Sequence, residues 1–447
     1  MKAAVGSLDG LFAPRSVAVY GASATDARKL GNILLANAAG GAGEVVAVHP
    51  AAARIDDIPA VASLDRAVDL ALISVPGHRV EAAVADAAAA GTKAGIVLSS
   101  GFGETGAEGR AVQDRLAALA RKAGMRLVGP NCMGVVSHVG GGRWLNGSYF
   151  WAVPDKYGGL SFVSQSGAFG GMFFAHLRSS GLGLARFLSV GNSADVSVTD
   201  VLEWLGDDLQ TTAIGLFIEG FDDGRRFVEV ARRVTAQKPV VVLKAGKMPA
   251  GARAAASHTG SMAGGHMAVR AGLRRAGVIE AADTETFFDL MDAAAVGLSR
   301  NPVRDIAIVT ISGGPSVLAA DAAERTGLTL PALDDTTLAR LRSLVPAFAA
   351  LGNPIDLTPQ CPVDHFVPAI EAIYADDAIK GVVAINCGLD FSQFGTGVAR
   401  GVAATGKPTT AFVLDAPGVE AELARAGVLR FASPERAVRA LAGGNVK

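Results

Sequence analysis

A histidine set among small hydroxyl and glycine residues, Ser257-His258-Thr259-Gly260-Ser261, is the segment of this chain best suited to covalent chemistry. A neutral imidazole nitrogen is a competent nucleophile when the opposite ring nitrogen donates to an acceptor that fixes the tautomer. Neighbours as small as Gly260 and Ser261 let hydrogen-bond donors surround a phosphoryl group without steric obstruction. By position, the acceptor is Glu219, which ends the apolar run 214–218 and precedes Gly220-Phe221. A carboxylate there stands at the ligand edge of a sheet, where it would orient the ring and stabilise charge as a phosphoryl group moves. Asp195 and Asp200 fit helix caps and are assigned no catalysis.

These residues need a scaffold, and one pattern occurs three times: an apolar strand, a Gly/Ser turn, then an Ala- and Leu-rich helical stretch. The strands are 16–20, 160–163 and 306–311, and the turns that follow are Gly21-Ala22-Ser23, Ser164-Gln165-Ser166-Gly167 and Ser312-Gly313-Gly314. Further short strands are expected at 45–48, 70–75, 95–99 and 126–128, at 185–189, 214–218 and 240–244, and at 328–330, 381–385 and 409–414. Strands that alternate with helical patterns predict α/β folding, with parallel sheets covered by helices on both faces. Joints are expected near 136–158, which contains Gly140-Gly141-Gly142, and near 299–304, which contains Asn301-Pro302. The domains are then 1–140, 155–300 and 303–447.

In doubly wound sheets such turns expose backbone N–H groups at a helix N-terminus, where phosphates collect. Glycine permits positive φ and close approach of the backbone to the anion. Gly21-Ala22-Ser23 is not the G-x-G-x-x-G of dinucleotide binders, and the second strand runs into Val48-His49-Pro50 with no acid for a ribose diol. NAD is therefore disfavoured. Coenzyme A, with its pyrophosphate and 3′-phosphate, remains compatible with such a turn.

Composition sets the outer bounds. Half of the 447 residues are hydrophobic and 19% are charged, enough apolar material for several cores. A net charge of -1 offers no broad basic surface to a nucleic acid or an anionic membrane. With no signal-like N-terminus and no long apolar run, the expected location is cytoplasmic. The three cysteines are widely spaced and the seven histidines lack metal-ligand spacing, so neither a disulfide framework nor a metal is implied.

With these motifs the chain resembles the alpha subunit of the ADP-forming (NDP-forming) acyl-CoA synthetases, relatives of succinyl-CoA synthetase. The resemblance runs from Leu11-Phe12-Ala13-Pro14-Arg15 through the third block, and includes Gly101-Phe102-Gly103-Glu104, Gly129-Pro130-Asn131-Cys132-Met133-Gly134 and Ser189-Val190-Gly191-Asn192 in the family's order. It implies a Rossmann-like CoA-binding domain followed by two flavodoxin-like doubly wound parallel-sheet domains. It also implies CoA contacts at Gly21, Ala22, Ser23, Val75, Pro76 and, more loosely, Asn131. Phosphohistidine falls on His258 and its carboxylate partner on Glu219, with phosphate bound by Ser166, Gly167, Gly260, Ser261, Gly313 and Gly314.

The reaction implied is acyl-CoA + ADP + phosphate giving carboxylic acid + CoA + ATP, through an acyl phosphate. Nothing in the sequence reads as an ATP-grasp domain, so an ATP-grasp beta subunit is the expected partner in a hetero-oligomer, carrying ATP or ADP with Mg2+. The alternative is a CoA-binding regulatory or scaffold module without ligase activity, which has no need of the His258 and Glu219 pair. Two departures from the family pattern, Val48-His49-Pro50 for Val-Asn-Pro and Pro76-Gly77-His78 for a Pro-Ala turn, lie near the expected CoA cleft. The aromatic stretch 144–151 is compatible with either an acyl pocket or packing at a joint.

Overall fold

The computed structural model describes residues 7–41, 43–253, 266–298 and 303–443. Its first sheet contains β1 (Ser16–Tyr20), β2 (Glu44–Val48), β3 (Arg54–Ile55), β4 (Ile58–Val61), β5 (Leu70–Ile73), β6 (Ala94–Val97) and β7 (Arg126–Val128). The order is β3-β4-β2-β1-β5-β6-β7, parallel except for the β3–β4 pair. Helices cover both faces, so the central strands are apolar throughout instead of alternating. Val17 and Val19 pack with Leu34 and Leu35 on one face; Ala18 and Tyr20 pack with Val80 and Val84 on the other. Because β1 lies between β2 and β5, the winding reverses beside it, and a crevice opens past its carboxyl end.

The second sheet holds β8 (Gly134–Gly140), β9 (Arg143–Ser148), β10 (Tyr157–Ser164), β11 (Leu184–Ser189), β12 (Ala213–Ile218), β13 (Val240–Lys244) and β14 (Ile279–Glu280), in the order β14-β13-β12-β10-β11-β8-β9. Much of the stretch read as a joint is the hairpin β8–β9, which adds two antiparallel strands at β11. Gly140, Gly141 and Gly142 all have positive φ (93°, 59° and 74°), the backbone that this reversal requires.

The third sheet is parallel throughout: β15 (Ile306–Thr310), β16 (Ile355–Asp356), β17 (Gly381–Cys387), β18 (Thr409–Leu414) and β19 (Leu429–Arg430), ordered β16-β15-β17-β18-β19. Residues 328–330 form no strand there; only a bridge from Thr329 to Asp305 is made. The chain divides into two compact units, Met1–Ala282 with the first two sheets and Asp283–Lys447 with the third. The helix Thr284–Ala295 belongs to the second unit, where its buried Asp289 accepts from Arg436 of the helix Pro434–Ala442 at 2.6 Å. Among the described residues no helix is long and apolar enough to cross a membrane.

Candidate functional site

Past the carboxyl end of β1 lies a cleft of about 580 Å3, within the range of small-molecule sites. Gly21, Ala22 and Ser23 form one wall, and Val75 and Pro76 another, so five of the six residues expected to meet CoA share one site. Gly21 has φ +103°, and a Cβ on it would stand 2.0 Å from Ser74 O. A Cβ on Gly31 would stand 2.2 Å from Gly21 O. Both glycines are needed for the helix Leu30–Ala39 to start against the turn. Asn32 in that helix locks it, accepting from Ser23 N at 2.8 Å and donating to Ser23 O at 2.9 Å.

The cleft suits an anion. The helix Gly77–Ala89 begins there with no side-chain cap, leaving its first N–H groups for a ligand. Lys29 and Arg79 also line it, and no Asp or Glu does, although the Lys29 charge also acts on the exposed Asp26 carboxyl nearby. Tyr149, from the aromatic stretch 144–151, closes one side, its hydroxyl 2.6 Å from Ser74 Oγ. The rest of that stretch divides: Phe150 packs edge-on against Phe174 and Phe187, whereas Trp151 is exposed.

Asn131, the sixth expected contact, is not among the cleft's lining residues. It has φ +59°, and its amide donates to Asn192 Oδ1 at 3.3 Å. Asn192 donates in turn to Glu104 Oε2 at 2.6 Å and Gln113 Oε1 at 3.0 Å. Burial works to raise the Glu104 carboxyl, but hydrogen bonds from Asn192 and the 101–104 backbone hold it below the usual range. Asn131 thus helps tie the loops after β6, β7 and β11 together.

Glu219 follows β12, and the switch point of the second sheet lies between β12 and β10. It is buried, and its backbone is fixed by a residue that sequence reasoning quoted only as part of a motif. Gln165 Oε1 accepts from Glu219 N at 2.6 Å and Gly220 N at 3.1 Å, while its Nε2 donates to Gly220 O at 3.1 Å. Lys244 Nζ donates to Glu219 O at 2.7 Å and also to Ala245 O. Burial depresses the Lys244 ammonium, with the Glu219 charge opposing that shift in part. Nothing local announces either contact, since each spans more than 20 residues.

Gln165 is followed by Ser166, N-cap of the helix Gly167–Ser180, which makes no side-chain capping bond. A Cβ on Gly167 would stand 2.2 Å from Met133 Cγ, which accounts for the glycine by packing alone. His258, Gly260 and Ser261 lie outside the described residues. In the second unit, Gly313 and Gly314 open the helix Gly313–Thr326 and are exposed. A Cβ on Gly313 would lie 3.1 Å from Asp356 Oδ2. That carboxylate, unforeseen from the sequence, stands beside a helix N-terminus, which favours negative charge.

Asp195 and Asp200 are structural. Asp195 binds Arg121 (2.8 Å) and Arg126 (3.0 Å), and Asp200 completes a capping box with Ser197. No cluster of three or more His, Cys, Asp or Glu suited to a metal occurs among the described residues.

Three family models match the chain in sequence: a CoA binding domain over residues 15–138, a succinyl-CoA ligase like flavodoxin domain over 157–294, and a ligase-CoA domain over 306–408. The Pyrococcus furiosus protein named acetate–CoA ligase [ADP-forming] II subunit alpha is 36% identical over 91% of this chain and 90% of its own length. The chain belongs to the ADP-forming acyl-CoA synthetases. Another member, acetate–CoA ligase [ADP-forming] I of Archaeoglobus fulgidus, is 35% identical over 97% of this chain, which spans 63% of that longer protein. In structure, the Candidatus Korarchaeum cryptofilum dinucleotide-forming acetyl-coenzyme A synthetase 1, in complex with phosphate and ADP, matches with TM-score 0.87 at 30% identity, covering 98% of this chain and 96% of that one. The cleft at Gly21 thus lies in the part of this synthetase chain that matches the CoA-binding model.

Proposed function

We propose that this chain is the CoA-binding, histidine-bearing subunit of an ADP-forming acyl-CoA synthetase. The observation that carries this reading is the cleft at the first switch point, with its glycine turn, a helix N-terminus without a side-chain cap, and two cations but no carboxylate among its lining residues. CoA would lay its pyrophosphate on Gly21, Ala22 and Ser23 and run past Val75 and Pro76. Phosphate oxygen attacks the thioester carbonyl, the C–S bond breaks, and CoA leaves as the acyl phosphate forms. A nitrogen of His258 then takes the phosphoryl group, releasing the carboxylate.

In this scheme Glu219 accepts from the other ring nitrogen of His258 and stabilises the phosphoimidazole. Ser166, Gly167, Gly260 and Ser261 are the proposed donors to phosphate oxygens, through backbone N–H groups and the hydroxyls of Ser166 and Ser261. An ATP-grasp beta subunit, binding the nucleotide with Mg2+, would complete a hetero-oligomer and receive the phosphoryl group. The name "subunit alpha" of the Pyrococcus relative supports a multi-subunit enzyme.

The test is to mix the chain with a candidate ATP-grasp partner, Mg2+ and γ-labelled ATP. Acid-labile label should appear on this chain and be absent from His258→Ala. A chain that stays unlabelled with every partner competent on another alpha subunit would overturn the reading in favour of a binding module.

A further inference from the structure

His49 is one of the two departures from the family pattern, and its geometry gives it two separable jobs. Tyr20 pairs with Val48 across β1 and β2, so Gly21 and His49 are the next residues on neighbouring strands, and both line the cleft. His49 Nδ1 accepts from Ala51 N at 3.2 Å and Ala52 N at 2.9 Å. An asparagine Oδ1 would hold this turn in the same way, which explains how histidine stands there without disturbing the backbone. With Nδ1 committed as an acceptor, the proton of the neutral ring belongs to Nε2, on the edge turned away from the 51–52 backbone. That donor is what histidine adds to the turn.

In nucleotide-binding sheets of this topology, the phosphate bridge sits on the first turn and the residue ending the second strand meets the adenosine ribose. Dinucleotide enzymes place an acid there to accept from the ribose diol. CoA carries a phosphate on the ribose 3′ oxygen, which an acid would repel and an N–H donor suits. We propose that His49 is a binding residue for the 3′-phosphate of CoA, with Nδ1 holding the 49–52 turn and Nε2–H donating to a phosphate oxygen. The chain then distinguishes CoA from dephospho-CoA at this residue. The inference rests on the CoA site proposed above and assigns it a determinant of specificity.

The test is calorimetric titration of the full chain with CoA and with dephospho-CoA, in the natural protein and in His49→Asn. Asparagine keeps the acceptor for Ala51 and Ala52 but is too short to reach as far as Nε2. The natural protein should prefer CoA, and His49→Asn should weaken CoA about tenfold, as expected for one hydrogen bond to a charged group. Binding of dephospho-CoA should change less than twofold. Equal weakening of both ligands, or none, would leave His49 only its turn and overturn the proposal while the CoA site stands. Failure of the natural protein to bind either ligand would overturn both. A second readout needs no variant to fold: in the imidazole 15N spectrum of the natural protein, CoA should shift the Nε2 signal of one histidine and dephospho-CoA should not. Identical responses to the two ligands would count against the assignment.

Discussion

At the scale of single residues, the groups that hold Glu219 matter as much as its carboxylate. Gln165 serves two N–H groups and one carbonyl of the 219–220 backbone, so Gln165→Leu strands three polar groups at a sheet edge. We expect it to lower stability by about 1–3 kcal/mol. With the partner present it should reduce kcat at least tenfold and leave KM for CoA nearly unchanged, because the CoA cleft belongs to the first sheet. A rise in KM alone would argue against this placement. Asp200 gives a pH-dependent counterpart. Burial works to raise its carboxyl, but hydrogen bonds from Ser197 and the charges of Arg226 and Arg126 outweigh burial and hold it below 3.8. The stability it contributes is therefore complete above that pH and is lost as pH falls through its folded-state range. Asp200→Asn should cost roughly 1–2 kcal/mol at pH 7 through weakening of the capping box and loss of the charge facing Arg226 and Arg126, which Glu203 and Asp195 still hold. In denaturant titrations at stepped pH the gap should narrow below about pH 4. A constant gap down to pH 2.5 would show that the charge is immaterial.

At the scale of elements, the start of the helix Leu30–Ala39 determines whether the first turn can receive a ligand. Gly31→Ala places a methyl group 2.2 Å from Gly21 O, so helix and turn must separate. The expected cost is ~1–3 kcal/mol of stability, with a larger proportional loss of CoA affinity. Thermal melts with and without CoA measure both; an intact CoA-induced rise in Tm in a destabilised variant would dissociate the contact from binding. This turn was legible in the sequence because apolar strand, glycine and helix are contiguous there, and the same holds at Ser166-Gly167 and Gly313-Gly314. Less was legible where the determinants are distant. The two-residue strands β3, β14, β16 and β19 carry too few side chains for a period of two. The 328–330 stretch has strand composition yet forms only a bridge at Thr329. The glycine-rich 140–142 segment reads as a joint, whereas it is the tip of the β8–β9 hairpin. In the site, Gln165 meets Glu219 across 54 residues and Lys244 meets it across 25, separations at which local pattern carries no signal.

At the scale of the whole molecule, the division of labour between this chain and a partner becomes a question of which half-reaction each can perform. The CoA cleft, Gln165, Glu219 and the helix end at Ser166-Gly167 all belong to the unit Met1–Ala282, which also includes His258 in its span. Thioester attack by phosphate and capture of the phosphoryl group need no nucleotide. In the proposed scheme, transfer from histidine to ADP does, and there an ATP-grasp partner with Mg2+ would neutralise the diphosphate. The chain by itself should therefore take label from inorganic 32P-phosphate in the presence of its acyl-CoA. That label should be acid-labile, absent without acyl-CoA and absent in His258→Ala. Added CoA and carboxylic acid should discharge it as phosphate and acyl-CoA, whereas added Mg2+–ADP should leave it in place until the partner is supplied. Labelled ATP formed by the chain alone would place a nucleotide site within it. Label that appears only with the partner would make the acyl phosphate step itself a property of the assembled enzyme. The contrast between loading and discharge thus assigns each chemical step to a chain.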